Sequence, residues 1–245
     1  MTRNILILLA GLLLGAIATA YFLGAPRTHS LSGIPLRPPD PNANNAGTVA
    51  VTIDERFFES LLGTIFGKLG SPQLKLSQIQ PLDPMQPAAF QAQCDDVVVL
   101  NPEGGNVKTG VRFTGGKIIA PLAFSGSYRI LTQCIQFKGT ARATVDLSFD
   151  QSKQTVFGRL NIEEVVLDGT SALVSGLVTA FVRKTIDERL NPFDVLRVSQ
   201  LALSLPVKAT GGTLKAQVND VRSEVQEGTL KLYLIYDFNA DRDAG

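Results

Sequence analysis

Few side chains in this chain could do chemistry. Two cysteines, Cys94 and Cys134, one histidine, His29, and two pairs of adjacent acids, Asp95-Asp96 and Glu163-Glu164, stand out. His29 lies in a proline-rich stretch away from any patterned segment, which leaves a serine or cysteine nucleophile in a folded domain without its base. Two cysteines 40 positions apart with no histidine nearby do not make a zinc site. Neither glycine-rich phosphate pattern, G-x-x-x-x-G-K-[ST] nor G-x-G-x-x-G, is present. Neighbouring residues on a strand point to opposite faces, so each acid pair reads as solvated or turn residues rather than an acid–base couple. The expectation is a protein that is not an enzyme, with no catalytic residue, no metal and no cofactor.

The cysteines leave two readings open. An even pair in an exported chain suggests a Cys94–Cys134 disulfide; the other reading is a pair of reduced, buried thiols acting as small hydrophobes. If Ile135 and Phe137 face the core, Cys134 faces outward, whereas Phe90, Ala92 and Cys94 share a face that reads as buried, and this weighs against the bond. The compartment weighs for it.

That compartment is read from the N-terminus. Residues 5–24 carry no charge and would span about 30 Å as a helix, the thickness of a bilayer core. Ala18-Thr19-Ala20 fits a signal-peptide cleavage site, and the chain would then be secreted. Alternatively Tyr21, Phe22 and Leu23 complete a transmembrane anchor with Tyr21 at the interface, making a single-pass membrane protein. Both readings place the rest of the chain outside the cytoplasm, in a periplasm or its equivalent. Residues 25–47, with Pro26, Pro35, Pro38, Pro39 and Pro41 and an Asn/Ala tail, read as a linker without regular structure. The 245 residues carry 23 basic and 22 acidic side chains, for a net charge of +1, and no basic cluster, so nucleic acid is not an expected partner.

The remaining chain is large enough for one domain with its own core. Thr52-Ile53-Asp54-Glu55 fits a capping box opening a helix whose Phe57, Phe58, Leu61, Leu62, Ile65, Phe66 and Leu69 form a broad apolar stripe. Gly70-Ser71-Pro72 ends it. The period then changes to two. Strands are predicted at 89–100, 107–113, 117–131, 137–149 and 155–167, separated by short turns, an antiparallel meander. In 137–149 the inward face is small in its middle (Gly139, Ala141, Ala143), leaving room for something bulky to lie across it. Asp168-Gly169-Thr170-Ser171 introduces a second helix over 172–190, stopped by Asn191-Pro192. Its charge-free first half is expected to be covered on nearly every side. Strands at 196–207, 213–221 and 230–238 close the domain.

This order of elements resembles a bacterial TULIP-type (tubular lipid-binding) domain. TIDERFFESLLGTIFGKLG is similar to the first helix of the exported lipid-binding families of that superfamily. LNIEEVVLDGTSALVSGLVTAFVRKTIDERLNPFDVL, followed by LALSLPVKATGGTLKA, is similar to their strand–helix–strand part. The resemblance covers residues 48–240 and rests on layout and hydrophobic pattern. Several relatives are lipoproteins anchored through an N-terminal cysteine, whereas the first cysteine here is Cys94. The resemblance implies an α+β fold, with a long, highly curved antiparallel sheet wrapped around one long helix and a second, amphipathic helix, behind the transmembrane segment of residues 1–24 and the linker of 25–47. Residues 241–245 are left as a disordered tail.

The implied ligand is a phospholipid or another apolar molecule, bound in an elongated groove or transferred between membranes. The candidate groove residues are Phe57, Phe58, Leu61, Leu62, Ile65 and Phe66 on the first helix and Leu173, Leu177 and Phe181 on the second. Leu201, Leu203 and Leu205 are expected to form an opposing wall. The same side chains also fit a filled core. The competing function is a membrane-anchored interaction or assembly factor for a membrane protein complex, which needs an exposed patch instead of a groove.

Overall fold

The computed structural model describes residues 32–40, 47–75, 94–130, 133–169, 172–207 and 212–242. The expected membrane segment, His29, Phe90, Ala92 and the Thr170-Ser171 part of the second helix's expected cap lie outside the described residues. Among the described residues, no helix is long and apolar enough to cross a membrane.

Alternation of apolar and polar residues produces long strands. β8 (Lys117–Ile130), β9 (Gln133–Asp150) and β10 (Thr155–Leu167) are successive antiparallel neighbours, and the 18 residues of β9 span roughly 60 Å. With β3 (Gln73–Lys75), β4 (Val97–Asn101) and β11 (Phe193–Arg197) they form a sheet in the order β11-β10-β9-β8-β4-β3. β7 (Arg112–Thr114) pairs with β8, while β5 (Glu103–Gly104) and β6 (Val107–Lys108) make a separate small ribbon. A second sheet has the order β12-β13-β14-β2, built from β12 (Leu203–Val207), β13 (Gly212–Gln226), β14 (Thr229–Arg242) and β2 (Thr48–Asp54).

The expected curled antiparallel sheet with few helices is therefore present. The two described α-helices are α1 (Glu55–Thr64), which runs on into a π-helical turn at Ile65–Leu69, and α2 (Ala172–Leu190). α2 borders both β10 and β3, strands with three others between them in the sheet, so the sheet bends round at that end. Val178, Phe181, Val182 and Ile186 are buried there with Leu122, Phe124 and Phe137. Asn191 fixes the end of α2 by accepting the Leu160 N–H and donating to the Leu160 carbonyl, both at 2.8 Å.

Two expectations about this helix are corrected. At about 28 Å it serves only one of three core clusters, so it does not run the length of the sheet. Its charge-free half is also not covered all round, since Leu177 is 37% exposed. A single stripe at i, i+4 spacing is enough to hold it.

One face of β9 supplies all three clusters. Phe137 and Ala141 pack with α2, Val145 and Leu147 pack with Phe113, Ile118 and Leu230, and Phe149 joins Val156, Val218 and Tyr236. Between them Gly139 and Ala143 are buried, as the predicted small-residue middle required. Phe58 of α1 packs on one cluster and Phe66, just beyond α1, on another, so this short helical segment reaches two of the three.

The predicted strand 196–207 is two strands. The chain leaves the larger sheet at Arg197, turns through a 3-10 segment at Val198–Leu201 and enters the smaller sheet at Leu203. Val198 is fully buried at this crossing, and its N–H donates to the Gln154 carbonyl at 2.9 Å.

Part of the expected linker is also structured. β1 (Ile34–Pro35) pairs with Phe149 and Ser148 of β9, beyond the point where β8 stops pairing at Thr144. The Leu36 N–H donates to the Leu147 carbonyl and the Ser223 N–H donates to the Arg37 carbonyl, each at 3.0 Å. Residues 32–37 thus form a strap from β9 to β13, with Leu36 packed into the core beneath it. Proline is tolerated because the strap uses few of its own N–H groups. The strap also explains why Ser148, expected on the solvent face of β9, is buried: its hydroxyl donates to the Ser32 carbonyl at 2.9 Å.

Candidate functional site

α1 is placed by its first residues. Thr52 belongs to β2, and the cap is Asp54, whose Oδ1 accepts the Phe57 N–H at 2.8 Å. The expected capping box is corrected accordingly. Glu55 does not reach back along the helix; its Oε1 accepts the Phe113 N–H at 2.8 Å, and its other oxygen faces Arg112 at 3.2 Å. Glu59 meets the same Arg112 at 3.3 Å. The polar side of α1 is therefore engaged with β7, and the apolar side is left to face the sheets.

No residue of α1 or of the π turn is fully buried. Phe57 is 55% exposed and Leu61 44%. Beneath them lies a cleft of about 910 Å³, within the roughly 300–1,000 Å³ of small-molecule sites. α1 contributes Phe57, Phe58, Leu61 and Leu62 to it. The floor and far wall come from Val111, Phe113, Ile118, Val145 and Leu147 of the larger sheet region, Leu196 of β11, and Val51, Ile53 and Leu230 of the smaller sheet. Phe58 meets Phe113 edge-on, with ring centroids 5.9 Å apart. Among the described lining residues only Thr52, Asp54, Asp194 and Thr229 are polar.

The twelve candidate groove residues do not share one place. Phe57, Phe58, Leu61 and Leu62 line this cleft. Ile65 is half-buried outside it, and Phe66 packs toward the α2 cluster. Phe181 is core, stacked on Tyr128 at 4.2 Å, and Leu177 is a partly exposed residue of α2. Leu173 lies in α2 and Leu203 in β12. Leu201 packs beside Tyr236, whose hydroxyl donates to the Leu201 carbonyl at 3.1 Å, while Leu205 is 52% exposed. The expected 201–205 wall is thus not part of this cleft, because the crossing at Val198 carries that segment to β12, the edge of the smaller sheet away from β2. The wall that β2 contributes is not legible in the sequence, where Thr52-Ile53-Asp54-Glu55 reads as a helix cap and not as the end of a strand. Val145 and Leu147, by contrast, were visible in the alternation of β9.

Protein-family models, curated proteins and solved structures give no match to this chain.

Elsewhere the cysteines are joined, Cys94 to Cys134, with Cα atoms 5.6 Å apart. Of the Asp95-Asp96 pair, Asp95 is exposed as expected, but Asp96 is not. Asp96 is buried, sits at φ 45° and accepts the Arg129 N–H at 2.6 Å. Burial, with the Asp96 charge adding to it, raises the pKa of the Tyr128 hydroxyl above its ordinary value. Glu163 and Glu164 are exposed. Among the described residues no three His, Cys, Asp or Glu side chains converge to hold a metal.

Proposed function

We propose that this domain binds a lipid or another apolar molecule in the cleft beneath α1, tethered to a membrane through residues 5–24 and facing away from the cytoplasm. The observation that carries the reading is the cleft: about 910 Å³, walled by two sheets and rimmed by a helix that presents four apolar side chains to it and buries none completely. A helix packed only to complete a core would hide its aromatic residues. The curled sheet with α2 inside one end is compatible with the TULIP-type architecture that the sequence resembles, and the lipid-carrying role follows from that resemblance and the cleft together. Native mass spectrometry of the full chain, purified from its own membrane, tests it. Co-purified apolar ligand, lost on Leu62→Asp in a protein that stays folded, is the expected result; a ligand-free wild type that also takes up no added lipid would sink it.

A second reading has its own observation. The inner face of the smaller sheet continues past its core to Leu205 and Phe238, 52% and 55% exposed, an apolar surface of the kind an assembly partner in the membrane would cover. Loss of partner capture, with lipid binding intact, on Phe238→Asp would favour that reading.

A further inference from the structure

The geometry points to a ligand that brings no negative charge into the cleft: an uncharged, long-chain molecule in preference to a fatty-acid anion or an anionic headgroup. This rests on the cleft being the binding site.

The charge inventory around the cleft has one sign. Among the described residues lining it there is no lysine, arginine or histidine, and the titratable ones are Asp54 at the end of β2 and Asp194 on β11. Asp54 spends Oδ1 on the Phe57 N–H, and Asp194 is held by Arg197 at 2.7 Å in an exposed ion pair. On α1, Glu55 and Glu59 turn to Arg112, which lines a different hollow together with Arg142 and Glu164. β7, β8, β9 and β14 contribute nothing ionisable to the cleft. A carboxylate or phosphate entering here would lose water without gaining an unpaired cation, and would meet the Asp54 carboxylate at the rim. An uncharged hydroxyl or ester loses far less on leaving water.

The test compares two ligands of one chain length, dodecanol and dodecanoate, titrated calorimetrically into the full chain held in nanodiscs. Dodecanol is expected to bind tighter by about tenfold or more at neutral pH. Dodecanoate should gain affinity as pH falls and the free acid forms, while dodecanol stays level. Leu61→Arg, at a partly exposed position of α1 that lines the cleft, should narrow the gap by favouring dodecanoate. Equal or tighter binding of dodecanoate at neutral pH would overturn the charge preference and leave the cleft as the site. If neither ligand binds, the cleft reading itself fails and the preference falls with it.

Discussion

The carboxylate of Glu55 accepts the backbone N–H of Phe113 at 2.8 Å, across 58 residues of chain. Around that bond the Glu55 N–H donates to the Gly228 carbonyl, and the Gly228 N–H donates to the Phe113 carbonyl at 2.9 Å. The start of α1, the end of β13–β14 and the β7 edge of the larger sheet are therefore fastened at one point, directly beside the cleft. Glu55→Ala leaves the Phe113 N–H without its acceptor, and a loss of about 1–3 kcal/mol is expected in denaturant unfolding. Glu55→Gln keeps an acceptor and should cost less; equal losses for the two variants would contradict this role.

Gly33 should resist substitution. Its φ is +98°, and a Cβ there would run into the Phe149 carbonyl. Gly33→Ala is expected to loosen the strap and destabilise the domain by about 1–3 kcal/mol. Limited proteolysis supplies a second check. Cleavage before Ser32 should leave cooperative unfolding intact, whereas a core trimmed to Thr48 should melt earlier, having lost Leu36 from two clusters.

Joining Cys94 to Cys134 closes a 40-residue separation, worth about 3–4 kcal/mol in the chain-entropy account. The Cys94→Ala, Cys134→Ala double variant should lose a stabilisation of that order. Alkylation without prior reduction should modify neither thiol in protein taken from its native compartment.

Asp150 titrates below the ordinary carboxylate range because the Ser152 hydroxyl and the Lys153 N–H donate to it, with the Lys153 charge nearby. A depressed carboxyl stabilises the fold above its unfolded-state pKa of about 3.9, and that contribution is lost as pH falls through the lower folded value. Asp150→Asn should therefore flatten the acid limb of a stability–pH curve and leave its slope above neutrality unchanged.

Charge insertion separates cleft from core. Leu62→Asp lines an open cleft that water can enter, so the fold is expected to survive with ligand capture lost. Phe181→Asp places an unpaired carboxylate in the α2 cluster and is expected to unfold the domain, at a cost of several kcal/mol. Leu177→Asp, partly exposed and away from the cleft, should change neither. Thermal melts paired with native mass spectrometry read all three.

What could be read in advance tracks periodicity. β10 at 155–167 and α2 at 172–190 emerge with the predicted bounds, because long two- and 3.6-residue patterns leave little choice. Half of the cleft was equally visible, in the stripe of α1 and the face of β9. What escaped depends on partners distant in sequence. β2 is a strand because β14 lies beside it, and Ile34–Pro35 is a strand because β8 stops short; neither fact is written locally. The switch at Val198 interrupts an alternation that looks continuous from Leu196 to Val207.

The pairing of β2 with β14 sets an order of events for a chain made from its N-terminus. Thr48–Asp54 finds its partner only in Thr229–Ile235, and the Ile34–Pro35 strap waits for β9. Contacts this distant form late and slowly. Until the final strand emerges the smaller sheet lacks its closing pair and the cleft lacks a wall. A nascent chain of this design stays unclosed through most of its synthesis, the state in which a polypeptide can still be threaded across a bilayer before it locks.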